Sequence, residues 1–285
     1  MSVATVSPSR SLDSSADCRV LVVEDDVICQ DIVLLMLERL GFYADVVDDG
    51  VGAVSALNGA FYDVVLMDVR MPRMDGMEAA HLIRTESGRT DQPVIIAMTA
   101  DMTPGCRQEC LRAGMDGHLG KPIGIGDLAA VLEHWFQQQG KLELVRPGAP
   151  GSRPAAGDSA TVVYDAGVFD SLLVDLGGDA AMRTDLIESF ILDGRQRLRA
   201  IVTAGDASDL GALVFQAHAL NSPSAMIGLL ALSEMTRQIE AAAKAAPDEV
   251  DVFRQAFLLA AECDRAIEAL NAEAASTPGP WVRTT

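Results

Sequence analysis

The residue in this sequence whose position most strongly suggests chemistry is Asp68. It ends the unbroken apolar run Val64–Met67, within the stretch FYDVVLMDVRMPRMDG, and that run suits a strand covered on both faces. Such an acid would lie at the carboxyl end of a buried parallel strand, where open α/β sheets bind their ligands. An aspartate there can act as a nucleophile that forms an aspartyl phosphate. Considered alone, the pattern fits equally well an acid that only caps a strand or starts a turn.

Three further stretches supply residues that complement an aspartate nucleophile. VLVVEDD and VIIAMTA are apolar runs that end in acids and in a hydroxyl, and GHLGKPI places a lysine before a proline. The residues concerned are Glu24, Asp25, Thr99 and Lys121. Gathered carboxylates repel one another, and a hard divalent ion such as Mg²⁺ would relieve that repulsion. A lysine and a hydroxyl can hold the remaining oxygens of a phosphoryl group.

Over roughly Cys18–Gln139 the chain resembles the receiver domain of two-component response regulators. The resemblance rests on an acidic pair after the first strand, an aspartate followed by MDG, then Thr-Ala and Lys-Pro. It implies that Asp68 is the phosphoacceptor and that Mg²⁺ is the cofactor. The metal ligands that it implies are Asp25, Asp68, the backbone carbonyl of Arg70 and, through water, Glu24.

The same resemblance assigns roles around the phosphoryl group. Thr99 and Lys121 would bind its oxygens. His118 stands where receivers usually carry the aromatic ring that reorients with Thr99 on activation, so the two are the implied switch residues. Asp26, beside the acidic pair, is expected to be a solvated residue at the start of a helix.

The arrangement of predicted elements changes once along the chain. Strand and helix patterns alternate over residues 18–139, which predicts five parallel βα pairs in a doubly wound, flavodoxin-like sheet. Residues 140–163 carry three prolines and no sustained period, and read as a flexible linker. Residues 164–275 show only amphipathic helical patterns, which predict an all-α antiparallel bundle. A disordered leader over residues 1–17 and a disordered tail over residues 276–285 complete the predicted organisation.

One histidine in the predicted bundle suggests chemistry. His218 lies on a helix predicted to run through that residue, in the sequence Ala-His-Ala-Leu. A lone histidine on a helix is commonly a surface residue with no role. However, residues 168–246 resemble the histidine-phosphotransfer (Hpt) domain, and the resemblance implies that His218 accepts and donates a phosphoryl group. That family usually has a lysine and a glycine three and four residues after the histidine, where this chain has Asn221 and Ser222.

Composition restricts the partners. The net charge of −19 argues against nucleic acid or an anionic membrane surface, because phosphate contacts need clustered lysine and arginine. No apolar run is long enough to cross a bilayer, and the first 17 residues lack the pattern of a secretion signal. Five scattered cysteines suit reduced thiols. A cytoplasmic protein is therefore expected.

Three functions agree with these features. The first is a phosphorelay intermediate that receives phosphate at Asp68 from a histidine kinase or hybrid kinase. His218 would accept that group from Asp68 or exchange phosphate with another receiver. The second is a binding module in which phosphorylation exposes the bundle and His218 is inactive. The third is the C-terminal part of a hybrid kinase. No glycine-rich nucleotide-binding stretch precedes the receiver, so the chain is expected not to be an ATP-consuming enzyme, although the receiver would catalyse its own phosphorylation. The start at Met1 favours a free-standing protein.

Overall fold

The computed structural model describes residues 18–86, 92–138, 163–244 and 249–276. The predicted leader, nearly all of the predicted linker and the tail after Ser276 lie outside the described residues. The chain forms two compact units: most of the described residues before Gly151 belong to one, and all of the described residues after Pro150 belong to the other. Among the described residues, no helix combines the length and the apolar character needed to cross a membrane.

The first unit is a five-stranded parallel sheet with helices between its strands. The strands lie in the order β2-β1-β3-β4-β5, with every neighbouring pair parallel. This is the predicted flavodoxin-like order. The strands are β1 (Arg19–Val23), β2 (Tyr43–Val47), β3 (Val64–Asp68), β4 (Val94–Thr99) and β5 (Gly117–Gly120). The helices are α1 (Val27–Arg39), α2 (Gly50–Gly59), α3 (Gly76–Glu86), α4 (Pro104–Arg112) and α5 (Ile125–Gln138).

Burial of the central strands explains their unbroken apolar sequences. Every residue of β3 and β4 is buried, because helices cover both faces of the sheet there. The register pairs Val23 with Met67 and Asp68 with Met98. The carboxyl ends of β1, β3 and β4 therefore meet at one edge, with Asp68 at the end of the middle strand.

The glycine of the MDG motif is required by the loop after β3. The N–H of Gly76 donates to the carbonyl of Val69 at 3.1 Å, which folds the loop back onto the end of the strand. A Cβ at this position would clash with the carbonyl oxygen of Asp68. Only glycine lets the start of α3 approach the Asp68 backbone this closely.

The second unit is a bundle of five helices. They are α6 (Ala166–Leu176), α7 (Ala180–Asp206), α8 (Leu210–Met226), α9 (Leu230–Lys244) and α10 (Glu249–Ser276). Helices α7, α8, α9 and α10 pack in a ring, and α6 packs on α8. Aspartates 165, 179 and 209 cap the first three helices by accepting backbone N–H groups of the first turn.

Two helices extend further than their local sequence marks. Helix α8 continues past His218 and through Pro223 to Met226. A proline costs a helix one hydrogen bond, but residues 221–224 are all buried, and their packing outweighs that loss. Helix α10 reaches Ser276, the first residue of the predicted tail.

The turn between α8 and α9 supports the start of the bundle. Gly228 has φ +87°, and its carbonyl accepts the N–H of Asp165 at 2.9 Å. A Cβ on Gly228 would clash with the carbonyl oxygen of Asp165. The start of α6 therefore lies directly against this turn.

Gly228→Ala is expected to destabilise the bundle by about 2–4 kcal/mol, because alanine is strained at positive φ and would displace Asp165. Urea unfolding followed by circular dichroism measures the change. Gly205→Ala is the control, since a Cβ there meets no atom within 4 Å and should be neutral or slightly stabilising. Equal unfolding midpoints for Gly228→Ala and the wild type would contradict this packing.

Candidate functional sites

The first site lies at the carboxyl edge of the sheet. Glu24 and Asp25 directly follow β1, Asp68 ends β3, and Lys121 directly follows β5. Carboxylate oxygens of the three acids lie within 4.8 Å of one another. Glu24 and Asp68 are buried, whereas Asp25 is partly exposed. The sheet thus gathers an all-oxygen donor set, of the kind that hard divalent cations prefer.

Lys121 compensates the charge of the two buried acids. Its Nζ donates to Glu24 Oε2 at 2.6 Å and to Asp68 Oδ2 at 2.7 Å, and its side chain is only 5% exposed. Its backbone N–H donates to the carbonyl of Thr99 at 2.8 Å, which ties the loop after β5 to the end of β4. Removing the ammonium would leave buried carboxylates facing one another, which is strongly unfavourable.

The second oxygen of Asp68 faces its own loop. The N–H of Arg70 donates to Asp68 Oδ1 at 3.3 Å, while Lys121 binds Oδ2. The backbone at Arg70 therefore lies against the acceptor carboxylate. Each Asp68 oxygen has a donor, so the carboxylate is held in a defined orientation.

Thr99 is bonded within its own loop. Its Oγ1 accepts the N–H of Asp101 at 3.0 Å and lies 3.4 Å from the carbonyl of Asp101. The described hydrogen bonds pair it with Asp101 and not with the acid cluster. Cys106 Sγ lies 3.9 Å from the same oxygen, a neighbour that sequence reasoning missed.

Burial, followed by interaction with the neighbouring thiol of Cys106, raises the pKa of Cys110 to about 11.

His118 is half-buried on β5. Burial, followed by the positive charge of Arg107, lowers the pKa of its imidazole. Both effects favour the neutral ring, which enters an apolar pocket more readily than the charged one. The neutral imidazole is the form that can take the place of the aromatic ring that receivers usually carry at this position.

The expectation for Asp26 was wrong in one respect. Asp26 starts α1, as predicted, and its Oδ1 accepts the N–H of Cys29 at 2.9 Å. However, it is buried rather than solvated. The N–H of Cys29 replaces water at one of the two carboxylate oxygens.

The second site is on the bundle. His218, on α8, places Nδ1 at 3.1 Å from Glu240 Oε1 on α9. The two side chains are 14% and 12% exposed. A carboxylate accepts a hydrogen bond, so a neutral imidazole that donates to Glu240 carries its proton on Nδ1 and its lone pair on Nε2. In that tautomer Nε2, and not Nδ1, is the ring nitrogen capable of nucleophilic attack.

Sequence reasoning missed Glu240. Helices α8 and α9 form a hairpin around Gly228, with His218 ten residues before it and Glu240 twelve residues after it. A helical hairpin brings together residues at similar distances from its turn, so the spacing was a usable signal. The pairing of His218 with Glu240 cannot be recognised until the position of the turn is known.

Asn221 is part of the interface between α8 and α9. It is 5% exposed, and its Oδ1 accepts the hydroxyl of Ser233 at 3.1 Å. A lysine at this position would have to bury its ammonium among these residues, at considerable cost. Position 221 is therefore a packing position in this bundle.

Comparison with known proteins gives two family matches. Residues 20–133 match the response regulator receiver domain, and residues 185–273 match the Hpt domain. Among curated proteins, the chain is 31% identical to the sensor histidine kinase GacS of Pseudomonas protegens, over 86% of this chain and 27% of that protein. It is 26% identical to the aerobic respiration control sensor protein ArcB of Escherichia coli K12, over 78% of this chain and 27% of that protein. The chain thus spans less than a third of the length of these relatives.

Two of the solved structures to which the chain is similar contain receiver domains. The receiver domain of the sensor histidine kinase PA1611 of Pseudomonas aeruginosa, solved with magnesium in its active-site cleft, is 39% identical. The match covers 42% of this chain and 98% of that one, with a TM-score of 0.39. A complex of the Saccharomyces cerevisiae phosphotransfer protein Ypd1 with the receiver domain of Ssk1 is 28% identical. That match covers 43% of this chain and 90% of that one, with a TM-score of 0.40.

Proposed function

Because this chain carries a response regulator receiver domain followed by an Hpt domain, we propose that it is an intermediate of a two-component phosphorelay. A histidine kinase or hybrid kinase is the upstream partner, and His218 exchanges phosphoryl groups with a receiver domain. The observation that carries the proposal is the state of the two nucleophiles. Asp68 is oriented by Lys121 among further acids, and His218 has its Nδ1 fixed by Glu240.

The acid cluster fits Mg²⁺. Glu24, Asp25 and Asp68 offer closely spaced oxygens. The N–H of Arg70 contacts Asp68, and the carbonyl of Arg70 would be a further ligand. When bound, Mg²⁺ neutralises negative charge on phosphoryl oxygens. The partial exposure of Asp25 suits an ion that keeps several waters.

The receiver domain catalyses its own phosphorylation by positioning. An Asp68 oxygen attacks phosphorus, and the bond from phosphorus to the donor nitrogen or oxygen breaks with its electron pair leaving on the donor. Lys121, already in contact with Asp68, transfers its hydrogen bond to a phosphoryl oxygen. Thr99 exchanges Asp101 for another phosphoryl oxygen, and His118 moves with it. Most of the rate then comes from orientation and charge neutralisation.

Transfer to the bundle uses Nε2 of His218. Its lone pair attacks the phosphorus of an aspartyl phosphate, and the P–O bond breaks to return a carboxylate. Nδ1 keeps its proton, so the ring becomes a phosphoimidazolium whose positive charge faces Glu240. No proton has to be gained or lost. Glu240 thus fixes the tautomer and stabilises the charge that develops on the ring.

Metal removal tests the receiver half of this proposal. With a small acyl phosphate as donor, labelling of Asp68 is expected to need Mg²⁺ and to fall by about 10²-fold or more in chelator. Asp25→Asn should likewise reduce the amount of label that forms when Mg²⁺ is added. Alkali-labile label on the full-length protein is the measurement. Undiminished labelling in chelator would contradict a magnesium-dependent receiver.

A second function is favoured by the buried Asn221, which replaces the usual lysine. In that case the bundle is a docking module, phosphorylation of the receiver exposes it to a partner, and His218 is inactive. Partner binding that depends on Asp68 and survives His218→Gln identifies this function. Loss of partner binding in both variants supports the relay instead.

A further inference from the structure

We propose that Arg237 on α9 supplies the positive charge that phosphorylated His218 needs, in place of the lysine that related domains carry three residues after their histidine. The proposal rests on the phosphorelay function, which requires a positive charge beside the phosphoryl group. It assigns to Arg237 a role in holding the phosphoryl group.

The need for a cation follows from the charges around His218. The phosphoryl group brings about two negative charges to a site that already holds the carboxylate of Glu240, 3.1 Å from the ring. Helix α8 contains no lysine or arginine. Related domains have a lysine three residues after the histidine, and this chain has Asn221 there. Asn221 is buried and accepts a hydrogen bond from Ser233.

The contacts between α8 and α9 place Arg237 on the relevant side of its helix. Ser233 contacts Asn221, and Glu240 contacts His218, so both face the histidine-bearing helix. Arg237 is four residues after Ser233 and three before Glu240. Residues at these spacings share one face of a helix, so Arg237 lies between the two contacts on the same stripe.

Arg237 also has the right accessibility. Its side chain is 61% exposed, so it borders the outer surface rather than the core. Among the residues of α8 and α9 whose side chains the structure describes, it is the only lysine or arginine. A guanidinium presents two parallel donors to phosphate oxygens, which makes it well suited to this role.

The present partner of Arg237 is exchangeable. Arg237 pairs with Glu234, one turn earlier on the same helix, and both side chains are largely exposed. Exposed ion pairs are weak because water competes for both charges. A dianionic phosphoryl group on His218 attracts the guanidinium more strongly than a single solvated carboxylate does. Phosphorylation therefore moves Arg237 from Glu234 to the phosphoryl group.

The test uses full-length protein and phosphoramidate, a small donor that needs no partner protein. The P–N bond of the donor breaks, ammonia leaves, and Nε2 of His218 takes the phosphoryl group. The measurement is the amount and half-life of acid-labile, alkali-stable label, in chelator to suppress Asp68. Arg237→Gln is expected to shorten the half-life about tenfold, since it removes the charge-assisted contacts. Arg237→Lys should restore part of it, and Glu234→Gln should lengthen it.

The matched control is Arg265→Gln on α10. Arg265 pairs with Glu262 one turn earlier, the same i,i+3 arrangement, and is also 61% exposed. Its partner Glu262 is buried, so circular dichroism must show that the variant stays folded. It should leave the half-life unchanged. If Arg237→Gln behaves like this control while the wild type is labelled, Arg237 has no such role and the relay stands. If the wild type takes no label at His218, the relay and this role both fail. A defect seen only with a protein donor would make Arg237 a docking residue and overturn the proposal.

Discussion

Asp68→Asn is expected to abolish phosphorylation of the receiver domain, with alkali-labile label reduced by about 10³-fold or more. The amide has the size of the carboxylate but is a far weaker nucleophile and offers no negative charge to Lys121. Because Lys121 keeps its 2.6 Å bond to Glu24, the buried cation remains paired and the sheet should stay folded. Labelling of full-length protein with an acyl phosphate and Mg²⁺ measures the effect.

Asp75→Asn is the matched control for that variant. Asp75 belongs to the same loop, and its Oδ1 accepts the N–H of Glu78 at 2.8 Å, a capping role that asparagine also fills. It should retain label within about twofold. Full alkali-labile labelling of Asp68→Asn would show that another residue accepts the phosphoryl group.

His218→Gln is expected to remove all acid-labile, alkali-stable label from the bundle. Glutamine can keep a hydrogen bond to Glu240 across the same gap but has no nucleophilic nitrogen. His81→Gln is the control, because His81 is exposed on α3 and should not affect the label. Persistence of phosphohistidine in His218→Gln would assign the chemistry to another histidine.

Glu240→Gln is expected to reduce phosphorylation of His218 without abolishing it. The amide oxygen can still accept the Nδ1 proton, but the negative charge that faces the phosphoimidazolium is lost. The rate of His218 phosphorylation should fall about tenfold, while the thermal unfolding of the bundle changes little. A rate equal to that of the wild type would leave Glu240 with no part in the transfer.

Much of the first unit follows from local sequence. Apolar runs that end in acids mark central strands, because a parallel strand buried on both faces needs nearly continuous apolar residues. The alternation of such runs with helices then fixes the parallel sheet, and its strand ends bring Glu24, Asp25 and Asp68 together. No long-range information was needed for that step beyond the rule that parallel strands end at one edge.

The features of the bundle that local sequence does not determine all depend on contacts between elements. Glu240 meets His218 only because the hairpin turn at Gly228 sets the register of α8 against α9. The continuation of α8 past Pro223 reflects burial by neighbouring helices, which overrides the local preference of proline. The buried state of Asn221 has the same origin, since Ser233 of α9 accounts for its position. Local propensity carries no signal for such tertiary pairings.

Phosphoryl transfer from a labelled receiver domain to the full-length protein, to Asp68→Asn and to His218→Gln tests the relay most directly. The assay is run with Mg²⁺ and then with chelator, and bond type is read from stability in acid and alkali. The relay predicts acid-labile, alkali-stable label on the wild type and on Asp68→Asn, and none on His218→Gln. Label that never reaches His218 and is confined to Asp68 would contradict the relay, and the bundle would then be a docking module.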